Sequence, residues 1–164
     1  MEQIENILQT IKKTKGDQWN QLLELQRLIN AHRIQTVFIN QSDEGFVANY
    51  IKYTKEKVCL NSIDDKHFEE FGNYEKCKYV NVPLEKVNIQ HYEMIHIDTT
   101  HNFNDWEIYI ARIIRLNPKF IVLTNTSIDT QKTKTILQSI FKKHYHIDTQ
   151  FANFKGTVIL KYMS

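Results

Sequence analysis

The chain has 164 residues, 41% hydrophobic and 24% charged, with 21 basic and 19 acidic side chains giving a formal net charge of +2. That length suits one domain able to bury a core without staples, and mixed charge with only short basic pairs, Lys12-Lys13 and Lys142-Lys143, excludes a dedicated nucleic-acid-binding surface. Glu2 and Glu5 near the amino terminus, with no long apolar run, argue against a signal peptide or a membrane span, so a cytoplasmic protein is expected.

Ile4, Ile7, Leu8 and Ile11 fall at helical spacing, and Gly16 closes that segment before Asp17 offers an N-cap to a second helix with Trp19, Leu22, Leu23, Leu28 and Ile29 on its apolar face. The first stripe has two readings, packing on its own domain or on a second copy in a homodimer. Thr36 to Ile39 is β-rich and continuously apolar, as a strand buried on both faces of a parallel sheet should be. Gln41 to Gly45 is the turn, and Phe46 to Tyr53 resumes a helical period.

Val58 to Ile63 reads as a second strand, Asp65 to Glu70 as a helix start with acids near its amino end, and Tyr79 to Val82 as a short third strand. Met94 to Asp98 and Phe120 to Thr124 are the fourth and fifth strands, with a helix over Trp106 to Leu116 that stops at Asn117-Pro118. Thr130 to Lys143 is helical, and His146 to Phe151 with Thr157 to Tyr162 make an antiparallel hairpin. The sum is an α/β protein: a three-layer α/β/α sandwich over 1–164, a mostly parallel sheet closed by a C-terminal hairpin, with an N-terminal helical extension at about 1–33.

In open parallel sheets ligands sit at the carboxyl ends of the strands, which places Asp98, His101 and Asn125 where chemistry is expected. Asp98 suits a metal ligand, a group that orients a substrate hydroxyl, or a base; equally it suits a cap for the loop that follows. His101 titrates near neutrality and could share a proton-transfer role, or serve only as a hydrogen-bonding turn residue. Asp98 with Thr124-Asn125 is a poor magnesium cage, and His91, His96, His144 and His146 lack zinc spacing, so no metal is expected. Cys59 and Cys77 have neither CxxC nor metal spacing and read as reduced and buried. The aromatics Tyr50, Tyr53, Phe68, Phe71 and Tyr74 read mainly as core or groove lining.

The order of elements resembles the class I S-adenosylmethionine-dependent methyltransferase fold over nearly all of residues 18–163. Its best local match is Leu-Ile-Phe-Ile-Asp-Gly-x-His-Ser-Tyr, common in small-molecule O-methyltransferase-like families, against Met94 to Phe103, MIHIDTTHNF. Asn117 to Leu123 is similar to the family's approach to strand five, and Phe154 to Lys161 to its last strand. The resemblance implies S-adenosylmethionine as cofactor, held by Gln41, Asp43 and Gly45 after strand one and by Ser62 or Asp64 after strand two, with Asp98 and His101 as catalytic residues acting on a small molecule.

The same alignment shows where the chain departs from the pattern. Thr-Val-Leu-Glu-Ile-Gly-Thr-Gly-Glu-Gly lines up without a gap with Thr36 to Gly45, TVFINQSDEG, so Ile39 replaces the acid, Gln41 and Asp43 replace two glycines, and only Gly45 is kept. Glycine there lets backbone and ligand approach closely, and side chains would occupy that space. Ser62 stands where strand two usually offers an acid to the ribose, with Asp64 two residues on. Three readings therefore stand: a small methyltransferase; a methyltransferase-like domain that has lost the cofactor and works as a binding module for a small molecule or protein partner; and, with least support, RNA binding through scattered lysines.

Overall fold

The computed structural model describes residues 2–13, 17–40, 42, 44–62, 65–71, 74–82, 86, 88–89, 92–100, 106–141, 144–148 and 156–163. Among these residues six helices, α1 (Glu2–Lys13), α2 (Gln18–His32), α3 (Glu44–Tyr53), α4 (Asp65–Phe71), α5 (Trp106–Arg115) and α6 (Thr130–Phe141), accompany seven strands. The strands are β1 (Thr36–Asn40), β2 (Lys57–Asn61), β3 (Cys77–Val80), β4 (Met94–Asp98), β5 (Phe120–Thr124), β6 (Tyr145–Ile147) and β7 (Val158–Tyr162).

Together the strands form one sheet in the order β3-β2-β1-β4-β5-β7-β6. The first five are mutually parallel, β7 runs antiparallel to β5, and β6 runs antiparallel to β7. From β1 the chain builds outward to β2 and β3, then returns to lay β4 on the other side of β1. That reversal is the topological switch point, where the crevice beyond the strand ends opens.

Alternation of side chains along buried strands divides the core in two. Val37, Ile39, Leu60, Met94 and Val122 point toward α2 and α3, where Leu25, Leu28, Phe46, Val47 and Tyr50 cover them. Phe38, Ile95, Ile97, Ile121 and Leu123 point the other way, onto Ile110 and Ile113 of α5 and Ile136, Leu137 and Ile140 of α6. The α1 stripe of Ile4, Ile7, Leu8 and Ile11 is buried in that second cluster, and Glu5 reaches Lys134 of α6 at 3.0 Å. Its apolar surface is thus consumed within the chain.

Local chemistry sets the helix ends. Asp17 caps α2, its carboxylate accepting from the Trp19 amide at 2.9 Å, while Arg33 closes the helix in a left-handed conformation (φ 51) with its N–H on the Ile29 carbonyl. In α5, Glu107 lies in the first turn and Arg112 and Arg115 in the last, matching the helix dipole.

Several strand boundaries differ from the sequence reading, among them β6, which spans Tyr145–Ile147 where His146 to Phe151 was expected. β2 ends at Asn61, not Ile63, and β3 spans Cys77–Val80, two residues earlier than the alternation suggested. The cause is that pairing starts at Val58 with Cys77, and the Val82 amide bonds the Asn61 side chain instead of continuing the ladder. Among the aromatics, Tyr50 and Phe71 are buried but Tyr74 is exposed, because it precedes β3 on a turn.

Candidate functional site

The last residues of β1, β2, β4 and β5 are polar, and they are buried: Asn40, Asn61, Asp98 and Thr124. An apolar sheet that ends in buried polar groups must satisfy each of them, since an orphaned one costs about 1–3 kcal/mol. Three hydrogen-bonded clusters do so.

The first surrounds Asp98, which is 1% exposed. Its Oδ1 accepts from the Thr100 backbone N–H at 3.0 Å and the Thr100 hydroxyl at 2.7 Å, and Asn125 Nδ2 donates to both carboxylate oxygens at 3.2 and 3.3 Å. Thr99 extends the β4–β5 pairing, its hydroxyl donating to the carbonyls of Thr124 at 2.8 Å and Asn125 at 3.0 Å. Asn125 has φ 56, a left-handed conformation that asparagine tolerates better than most residues. Behind it lies Gln21 of α2, accepting from the Asn125 backbone N–H at 2.9 Å and donating to its side-chain oxygen at 3.3 Å.

The second cluster centres on His96, wholly buried in the middle of β4 on the face toward α3. Its Nδ1 is 2.7 Å from the Tyr50 hydroxyl, and its Nε2 is 3.2 Å from both Ser42 Oγ and Thr124 Oγ1. Burial holds the Tyr50 hydroxyl well above its usual range, so it stays a phenol. A phenol that accepted from Nδ1 would leave its own hydrogen without a partner. Tyr50 therefore donates to Nδ1, and Nε2 carries the ring proton toward Ser42 and Thr124.

The third joins β1 to β2. Asn61 Nδ2 donates to Asn40 Oδ1 at 2.9 Å and to the Val82 carbonyl at 3.1 Å, and its Oδ1 accepts from the Val82 N–H at 3.2 Å. The Asn61 amide is thereby engaged at both ends inside the protein.

Of the residues singled out in the sequence, Asp98 and Asn125 are brought together. Gly45 sits in the first turn of α3, where a Cβ would stand 2.8 Å from Gln18 Nε2 of α2. Ser62 is buried just beyond β2, its N–H on the Val80 carbonyl and its own carbonyl accepting from the Tyr79 hydroxyl at 2.9 Å. His101, Gln41, Asp43 and Asp64 lie outside the described residues. Gln21 and Asn61 carry no functional signal in the sequence, and His96 carries none by metal spacing. A polar residue inside an apolar strand, as in Met94-Ile95-His96-Ile97, was the one available signal for His96.

Among the described residues, no three histidine, cysteine or acidic side chains gather as a metal site. Cys59 and Cys77 are free, buried and on opposite faces of the sheet. Burial raises both thiols, Cys77 to about 11, so neither is a thiolate nucleophile near neutral pH. Among the described residues no helix is long and apolar enough to cross a membrane.

No family model and no curated protein matches the chain in sequence. Solved structures do match it. A Staphylococcus aureus protein assigned by inference as a caffeoyl-CoA O-methyltransferase superposes with a TM-score of 0.66 at 11% identity, covering 87% of this chain and 83% of that one. The ribosomal protein L11 methylase of Lactobacillus delbrueckii subsp. bulgaricus gives 0.64 at 14%, covering 88% and 78%. The tRNA (uracil-54, C5)-methyltransferase of Pyrococcus abyssi, in complex with S-adenosyl-L-homocysteine, gives 0.54 at 13%, covering 86% of this chain and 37% of that one. The fold is that of S-adenosylmethionine-dependent methyltransferases; at these identities the likeness reaches no further than the fold.

Proposed function

We propose that this chain is a methyltransferase-fold binding module that works without S-adenosylmethionine, using the face beyond the ends of β1, β4 and β5 for a small molecule or a protein partner. The observation that carries this reading is the chain's departure from the family pattern at the cofactor positions, where Gln41 and Asp43 replace two glycines and Ser62 replaces the acid offered to the ribose. Side chains at those positions would occupy the space in which backbone and ligand approach closely.

One structural feature agrees with it. Ser42, in the segment that would cradle the cofactor, is buried, with its hydroxyl on His96. On this reading the site does not take the cofactor, and no step is derived through it.

A second reading, S-adenosylmethionine-dependent methylation of a small hydroxyl or amine, is favoured by one observation. Asp98 lies at the switch point with its carboxylate oriented by Thr100 and Asn125, three residues before His101. Such a carboxylate could accept a hydrogen bond, or a proton, from a substrate.

Calorimetric titration with S-adenosylmethionine and S-adenosylhomocysteine separates the two. The binding module shows no heat of binding at millimolar ligand. Micromolar binding that is abolished by Gly45→Arg would overturn it in favour of the enzyme, and loss of methyl transfer in Asp98→Ala and His101→Ala would then locate the chemistry.

A further inference from the structure

We propose that Gln21, on the helix that leads into the first strand, is a positioning residue of the carboxyl-end site: it fixes the side-chain amide of Asn125 and, through it, the carboxylate of Asp98. The inference rests on that face being the functional one, which both readings above share.

Because the short connection 33–35 joins the end of α2 to the start of β1, α2 runs antiparallel to the strands and its first turns reach their carboxyl ends. Gln21 is buried there, in a helix whose other deeply buried residues include Leu25, Leu28 and Ile29. An apolar residue would serve simple packing at that position. The amide instead has partners of matching polarity on both atoms: Oε1 accepts from the Asn125 N–H at 2.9 Å and the Thr157 hydroxyl at 3.3 Å, and Nε2 donates to Asn125 Oδ1 at 3.3 Å.

These bonds dictate which way Asn125 faces. With its oxygen taken by Gln21, the Asn125 amide must direct its NH2 at Asp98, to which it donates at 3.2 and 3.3 Å. A flipped amide would set its oxygen against a carboxylate, two acceptors face to face. Gly156 completes the fit. It has φ 108, and a Cβ there would lie 2.8 Å from the Gln21 side-chain carbon, so the approach to β7 leaves room for this glutamine. The helix before the sheet is therefore part of the site, and whatever engages Asp98 is coupled to the seating of α2.

The test is read in the ligand-free protein by NMR, from the Asn125 side-chain amide and the Asp98 carboxyl carbon. Gln21→Glu keeps an acceptor for the Asn125 and Thr157 donors but removes the Nε2 donor and draws the Asn125 NH2 toward itself. Gln21→Met removes both polar atoms at similar volume. In both variants the Asp98 carboxyl resonance and the Asn125 side-chain amide signals should move, and in Gln21→Met Asn125 side-chain amide exchange should quicken by about tenfold, while backbone amides of β1 and β2 hold their shifts. Thr157→Val, which deletes only the other partner of Oε1, should leave both signals in place. Unmoved Asn125 and Asp98 signals in Gln21→Glu would reduce Gln21 to packing and overturn the proposal, even if the melting temperature fell. Failure to bind S-adenosylmethionine bears on the enzyme reading alone, because neither signal needs a ligand.

Discussion

The Tyr50 hydroxyl donates to His96 Nδ1 at 2.7 Å, joining the middle of α3 to the middle of β4 inside the core. Tyr50→Phe keeps the ring packing, edge-on to the imidazole with centroids 5.2 Å apart, but strips a buried acceptor of its donor. A loss of ~1–3 kcal/mol in unfolding free energy is expected with the circular dichroism spectrum unchanged, and denaturant titration measures it. On the other side of the ring, Ser42 and Thr124 share one Nε2 proton at 3.2 Å each, so either can serve when the other is removed. Ser42→Ala and Thr124→Val should each cost less than ~1 kcal/mol, and the double variant more than their sum.

Gly45 and Gly156 should respond in opposite ways to alanine. The methyl group at Gly45 would meet only the far end of the Gln18 side chain, which is exposed and can swing aside, and alanine favours a helix by about 1 kcal/mol over glycine. At Gly156 the methyl meets the buried Gln21 amide, and the φ of 108 is strained for any side chain. Gly45→Ala should be neutral or stabilising, whereas Gly156→Ala should lose ~1–3 kcal/mol. Equal melting temperatures for the two variants would contradict this account of the α2 contact.

The sheet was legible because each strand carries its own signal, a short apolar run bounded by polar residues, and each helix its own period. The switch point followed from the order of elements, and with it the place of Asp98 beside Asn125. What sequence could not show is contact made across long separations. Gln21 meets Asn125 only because α2 packs over the end of β5, and nothing in the neighbourhood of either residue encodes the other. His96 interrupts an apolar strand, yet its partners come from three separate segments and no spacing rule unites them. Asn61 has no sequence signal of its own, since its neighbour Ser62 holds the aligned position and its bonds to Asn40 and Val82 depend on where β3 ends.

The cysteines provide a check on the sheet register. Cys59 points to the face covered by α1, α5 and α6, and Cys77 to the opposite face, so a bridge between them would have to pass through the sheet. Native protein at pH 8 should react slowly with an aromatic disulfide reagent, since burial raises both thiols, and two thiols should titrate at once in guanidinium. A fast-reacting thiol in the native state, or a bridge seen by non-reducing mass analysis, would place one of the two strands wrongly.

His32 provides the pH-dependent term that can be signed. Burial lowers its pKa from 6.5, and the nearby Lys119 and Lys161 lower it further against a smaller opposing pull from Asp148. The unfolded chain takes up a proton as the pH falls through 6.5, while the folded protein resists until the pH is lower still. In that window the unfolded state binds more protons, so stability falls as pH falls. Above 6.5 both states are neutral and this contribution is level. Unfolding free energies at pH 8 and 5.5 should differ more in the wild type than in His32→Gln. Because the largest cause is burial, added salt should screen the lysines and shrink the difference only in part. An identical pH slope in the variant would remove His32 as its source.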